Sequence, residues 1–206
     1  MTRPTQFFFL NGAAGNIECA LDLPQTEPIG IALVAHPHPL YGGTMDNKVV
    51  QTIDRTFASL GYAVARMNFR GVGRSQGRHD EGRGETDDMA LLLHYMMQQY
   101  PGRPVVLSGF SFGTYILGKL YARLSAEAAP PARMVLVSVT AGKWDLPSVP
   151  PNTIVIHGES DELIRLSDVL DWARPQDLPV FVIPDGDHLF NGKLHHLRNI
   201  IVDAFR

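Results

Sequence analysis

Gly109-Phe110-Ser111-Phe112-Gly113 constrains this chain more than any other stretch. It follows Pro104-Val105-Val106-Leu107-Ser108, a short apolar run, and precedes Thr114-Tyr115-Ile116-Leu117-Gly118-Lys119-Leu120, which reads as a helix start. A bare G-x-S-x-G string is no more than a glycine-rich turn with a serine cap. A strand before it and a helix after it give it the context of a nucleophile elbow. The turn is sharp enough to force strained backbone angles on the serine, and a side chain at either flanking glycine would collide with the neighbouring strand or helix. The Ser111 hydroxyl is then lifted clear of the sheet. The Phe112 N–H falls at a helix N-terminus, where developing negative charge is favoured.

A serine hydroxyl is a weak nucleophile and needs an adjacent base. His188 is the candidate, because Pro184-Asp185-Gly186-Asp187-His188-Leu189-Phe190 lies just past the last strand pattern and just before the final helix. His195 and His196 read as solvent-facing on that helix. His79, His94 and His157 have no comparable placement. The base needs an acid to hold its tautomer and stabilise the imidazolium. Asp161 is the candidate, in His157-Gly158-Glu159-Ser160-Asp161-Glu162-Leu163-Ile164, with Glu159 and Glu162 competing for the role. Asp185 and Asp187 flank the histidine and read as caps of its turn.

A tetrahedral intermediate needs a second backbone donor, expected from the loop after the third strand. That loop is Ala35-His36-Pro37-His38-Pro39-Leu40-Tyr41-Gly42-Gly43-Thr44-Met45-Asp46-Asn47. Pro37 and Pro39 have no N–H, so His38 or Leu40 is expected to supply the donor beside Phe112. The H-P-H pair lacks the cysteines or carboxylates and the spacing of a metal site, and no metal is expected. Asp46 or Asn47 can cap the next helix. Asn68-Phe69-Arg70-Gly71-Val72-Gly73-Arg74-Ser75 lacks the third glycine and the helix of a dinucleotide loop and reads as a tight turn near the site.

Around these motifs, strand and helix patterns alternate. Strand-like runs fall at 6–10, 17–23, 30–35, 62–69, 104–108, 134–139, 153–156 and 180–183. Helical spacing falls at 47–60, 86–99, after Ser111, and at 194–205. The methionines of 86–99 (Met89, Met96, Met97) read as core. The pattern predicts an α/β fold: a mostly parallel, eight-stranded twisted sheet with helices on both faces and catalytic loops at the carboxyl ends of the strands. A chain of 206 residues suits one domain, here 1–206. A net charge of -3 gives no support for a nucleic-acid partner, and Arg74, Arg78 and Arg83 interleaved with Asp80, Glu81 and Glu85 read as a solvated loop. The lone Cys19 excludes an intrachain disulfide and reads as inert packing. No apolar run approaches the ~20 residues of a membrane span. Phe7-Phe8-Phe9-Leu10 is too short for a signal segment and reads as the first strand. A soluble cytoplasmic protein is the expectation.

The order Ser111…Asp161…His188 is the Ser…Asp/Glu…His order of α/β-hydrolases. The chain resembles the small lidless bacterial serine hydrolases that carry H-P-H-P-x-x-G-G-x-M-x-N-K after the third strand. Those residues are His36, Pro37, His38, Pro39, Gly42, Gly43, Met45, Asn47 and Lys48. The resemblance covers essentially the whole chain and implies an esterase-like hydrolase, close in size to the dienelactone hydrolases. Those enzymes use a cysteine nucleophile where this chain has Ser111. Between 139 and 153 there is room only for a short Gly/Pro-punctuated loop, so no cap or lid domain fits and the site is expected to be open. Tyr41, Trp144 and Phe112 are the candidate lining of a shallow apolar acyl pocket, with Phe69 and Phe190 near by.

The expected reaction is hydrolysis of a small ester or thioester by Ser111, His188 and Asp161, with Phe112 and His38 or Leu40 as oxyanion donors and no cofactor. Activity is expected to rise with pH as His188 loses its proton, since only the neutral imidazole accepts one. A peptidase or acyltransferase could use the same triad. A non-catalytic binding protein with this fold is the alternative of a different class, and turnover of any activated ester separates it from an enzyme.

Overall fold

A computed structural model describes residues 4–126 and 133–206. The strand patterns become β1 (Gln6–Gly12), β2 (Gly15–Asp22), β3 (Gly30–Ala35), β4 (Tyr62–Met67), β5 (Val105–Phe110), β6 (Arg133–Val137), β7 (Ile154–Gly158) and β8 (Val180–Ile183). The helices are α1 (Lys48–Ser59), α2 (Arg83–Gln99), α3 (Phe112–Ala126), α4 (Leu166–Ala173) and α5 (Leu194–Ala204).

All eight strands join one sheet in the order β1-β2-β4-β3-β5-β6-β7-β8. The β1–β2 and β2–β4 pairs are antiparallel, and every later neighbour pair is parallel. Strand β3 shows why the central runs are apolar throughout. Ile31, Leu33 and Ala35 enter the core beneath α2, α3 and α4, whereas Ala32 and Val34 enter the core beneath α1 and α5. A strand covered on both faces has no solvent side on which to place polar residues. After β4 the chain crosses back to the other side of β3 to form β5. The reversal sets the carboxyl ends of β3 and β5 side by side, the crevice in which open α/β sheets bind ligands.

Asn47, the N-cap of α1, accepts the Val49 N–H at 2.9 Å, a contact worth about 1 kcal/mol. The segment between β6 and β7 contains turns and no helix, as the absence of a lid requires. Among the described residues, no helix is long and apolar enough to cross a membrane. Cys19 is buried, and burial pushes its thiol up to about 12, which makes it unreactive packing.

Three local expectations change. Helix α4 has no counterpart among the expected helices: Leu166, Val169, Leu170 and Ala173 have helical spacing, but over only eight residues beside an acidic loop. Helix α2 starts at Arg83, ahead of its apolar stripe, because Glu85 turns back to accept the Gly82 and Asp80 N–H groups at 2.9 Å each. Glu85 is therefore fully buried, not part of a solvated loop. Within α2, Met89 and Met96 are core, but Met97 falls on the outer face and is exposed.

Candidate active site

Ser111 joins β5 to α3 with a φ of 54°, in the left-handed region that disfavours a side chain. The surroundings hold it there. Its N–H donates to Val137 O at 2.9 Å, and its carbonyl accepts from Thr114 N and Thr114 Oγ1 at 2.8 and 2.7 Å. Both elbow glycines are required by contact. A Cβ on Gly109 would lie 2.7 Å from the Gly113 carbonyl carbon, and one on Gly113 would overlap the carbonyl oxygen of Ala35 at the end of β3.

The loops after β8 and β7 meet this elbow. His188 Nε2 lies 3.1 Å from Ser111 Oγ, and His188 Nδ1 lies 2.7 Å from Asp161 Oδ2. The three predicted residues thus form one hydrogen-bonded line. Asp187 caps the histidine turn by accepting the Asn191 N–H at 2.8 Å. Asp161 Oδ1 accepts the Leu163 and Ile164 N–H groups at 2.9 Å each. Burial alone would raise the Asp161 carboxyl. The hydrogen bond and charge of His188, the Ile164 amide and His157 outweigh it and hold the group below its ordinary value. The competing Glu159 instead accepts the Asp185 N–H at 3.1 Å.

The loop after β3 forms the other wall. His36 is fully buried and clamps two loops: Nε2 accepts the Phe69 N–H at 2.9 Å, and Nδ1 donates to Pro37 O at 2.6 Å. Burial, the leading effect, lowers its pKa to about 3, so the ring is neutral. With both nitrogens engaged, His36 is a structural clamp. The Leu40 N–H points to His38 Nδ1 at 3.2 Å and is therefore already engaged. The Phe112 N–H opens α3 and has no acceptor within the helix. Burial and then the charge of His79 lower the His38 pKa.

Tyr41 is 85% exposed and Trp144 half-buried, and both rings reach His38, with centroids at 4.8 and 5.9 Å. Phe112, Phe69 and Phe190 are core, and Phe190 lies on the α1/α5 face. His195 and His196 are exposed, as is His94.

Two histidines without an expected role belong here. The His79 ring stacks on His38 at 4.8 Å, and its Nδ1 lies 2.8 Å from Glu85 Oε1, off the direction of a linear hydrogen bond. His157 is fully buried; Nε2 donates to Ile164 O at 3.0 Å and lies 3.8 Å from Asp161 Oδ2. His157 thus fixes the backbone whose amides hold Asp161. Its place four residues before Asp161, at the end of a strand, is the signal that marks it. Nothing local marks His79, which reaches the site only through the path of the loop after β4.

Comparison with known proteins agrees with the fold. The family model described as alpha/beta hydrolase fold matches residues 40–150. Uncharacterized protein RP471 of Rickettsia prowazekii is 33% identical across 95% of this chain and 86% of its own length. The crystal structure of XC6422 from Xanthomonas campestris, a serine hydrolase without lid, is 34% identical with a TM-score of 0.91, covering 97% of this chain and 93% of that one. The lysophosphatidylserine lipase ABHD12 of Danio rerio is 32% identical over half of this chain, which spans only 28% of that protein. The chain belongs to the α/β-hydrolase family, in its small form without a lid.

Proposed function

We propose that this hydrolase cleaves small carboxylic esters or thioesters through an acyl-enzyme formed on Ser111. The observation that carries this reading is the unbroken line from Ser111 Oγ through both nitrogens of His188 to Asp161, at 3.1 and 2.7 Å. Asp161 accepts the Nδ1 proton and fixes the tautomer that leaves Nε2 free as a base. His188 takes the Ser111 proton as Oγ bonds to the carbonyl carbon. It returns that proton to the alcohol or thiol as the carbonyl–leaving-group bond breaks. Water, deprotonated by the same nitrogen, then releases the acid and restores Ser111. The Phe112 and His38 N–H groups are assigned to the oxyanion. Removing one such donor costs about 10²–10³-fold in kcat. No step calls for a cofactor.

The test is labelling with a fluorophosphonate probe, wild type beside Ser111→Ala, with the modified peptide located by mass spectrometry. Labelling at Ser111 that disappears in the variant supports an activated serine. Folded wild-type protein that takes up no probe overturns the assignment and favours a binding protein on this fold.

A further inference from the structure

Six rings from four separate segments converge beside the elbow: His38 and Tyr41 after β3, His79 after β4, Phe112 and Tyr115 on α3, and Trp144 after β6. His38 is the hub. Its centroid lies 4.8 Å from Tyr41, 4.8 Å from His79, 4.6 Å from Phe112 and 5.9 Å from Trp144. Trp144 in turn lies 5.1 Å from Phe112 and 4.9 Å from Tyr115. These separations are those of tilted and edge-to-face aromatic pairs. Phe112 is closed off in the core, but His38, His79, Tyr115 and Trp144 are only half-buried and Tyr41 is exposed. A cluster of rings left partly open beside the elbow offers apolar contact to a bound substrate.

Its position relative to the base identifies which part of a substrate meets it. Phe112, Tyr115 and Trp144 pack on the α2/α3 face of the sheet. The His188 ring contacts Phe110, at 5.1 Å, and Phe110 packs on the α1/α5 face. The leaving group must depart toward His188, which protonates it. The acyl group remains on Ser111, and the rings lie on the side of the sheet away from His188. His38 accepts the Leu40 N–H on Nδ1, so its proton is on Nε2 and the ring is neutral. A neutral wall suits an uncharged ring.

We infer that the preferred substrates are esters whose acyl group carries an uncharged aromatic ring, received by the His38–Trp144 ring cluster. This rests on the esterase reading above and adds the acyl class to it.

The test compares ethyl 3-phenylpropanoate with ethyl 3-cyclohexylpropanoate. They share a leaving group, and the ring is too far from the carbonyl to change its intrinsic reactivity. The expected result is a kcat/KM about tenfold higher for the phenyl ester, the size of one to two aromatic contacts. In Trp144→Leu that ratio should fall to near one. A ratio near one in the wild type, or one unchanged in Trp144→Leu, overturns the inference. A second arm does not depend on turnover. In Ser111→Ala, titration with 3-phenylpropanamide should shift the Trp144 indole N–H resonance at concentrations where 3-cyclohexylpropanamide does not. Selective binding without turnover in the wild type keeps the aromatic site and overturns only the esterase reading. Equal binding, or none, overturns the site.

Discussion

Phe110 and Phe112 flank the nucleophile and point to opposite faces of the sheet. Phe110 packs with α1 and α5 and lies 5.1 Å from the His188 ring; Phe112 packs with α2 and α3 and lies 4.6 Å from the His38 ring. The elbow thus separates the His188 side from the His38 ring cluster, the side proposed above for the acyl group, by two residues of opposite orientation. Phe110→Leu should lower kcat/KM by a similar factor for every acyl group, because it loosens His188. Phe112→Leu should change the ratio between aromatic and alicyclic acyl esters. Steady-state kinetics on the two 3-substituted propanoates reads both effects; interchange of the two patterns would refute the division.

Asp161→Asn should leave the fold intact and lower kcat by about three to four orders of magnitude, since the amide cannot hold the His188 tautomer. The carboxyl is also a source of stability. Its folded pKa is below its unfolded value, so the contribution is present above the unfolded pKa and is lost as pH falls through the folded one. Denaturation midpoints measured from neutral pH downward should therefore fall less steeply in Asp161→Asn than in the wild type.

His36 shifts in the same direction, with a much wider window. Folded, it stays neutral down to about 3; unfolded, it takes a proton near its ordinary 6.5. Between those values the unfolded chain binds more protons, so stability rises with pH across that window. His36→Leu should remove this contribution to the slope. At pH 8 it should also cost about 1–3 kcal/mol, because the Phe69 N–H is left buried without an acceptor. Urea unfolding of both proteins at pH 5 and pH 8 measures the two effects separately.

Asp54 on α1 is buried 3.3 Å from Arg66, which also pairs with Asp22 at 3.1 Å. Burial is the leading effect and raises the Asp54 carboxyl to about 7, with Arg66 opposing and Asp22 reinforcing. The folded chain keeps this proton where the unfolded chain has lost it, so stability falls as pH rises from the ordinary carboxylate range to about 7. Asp54→Asn should be less sensitive to pH over that range and more stable than the wild type at pH 8. A variant less stable at pH 8 would show that the Arg66–Asp54 attraction dominates.

Gly113→Ala should destabilise the protein by at least about 3 kcal/mol or prevent folding, because its Cβ would meet the Ala35 carbonyl and backbone on both sides resists displacement. Thermal denaturation should show a far smaller effect for Gly118→Ala, whose nearest neighbour is the Pro147 side chain at 3.4 Å.

Much of the fold and site is legible locally. Residues 30–35 are apolar without alternation because both faces of β3 are covered, and that run between turn residues is itself the mark of a buried parallel strand. Ser111 is legible because a strained turn needs small neighbours at fixed positions. Asp161 and His188 are legible because strand order sends their loops to the same edge. Helix α4 is not, since eight residues give too few turns for periodicity to stand out. The burial of Glu85 is equally hidden, because its partners are backbone groups, which have no sequence signature.

By itself, then, the sequence determined the fold class and singled out the three residues that the structure joins in one hydrogen-bonded line, because periodicity and turn chemistry act over a few residues. Only the tertiary structure decided that Leu40 spends its N–H on His38, that His157 braces the Asp161 turn, and that His79 stacks beside Phe112. Those outcomes depend on side chains meeting from strands and loops tens of residues apart. Contacts of that kind are set by how the sheet brings its loops together, not by what stands next to each residue in the chain.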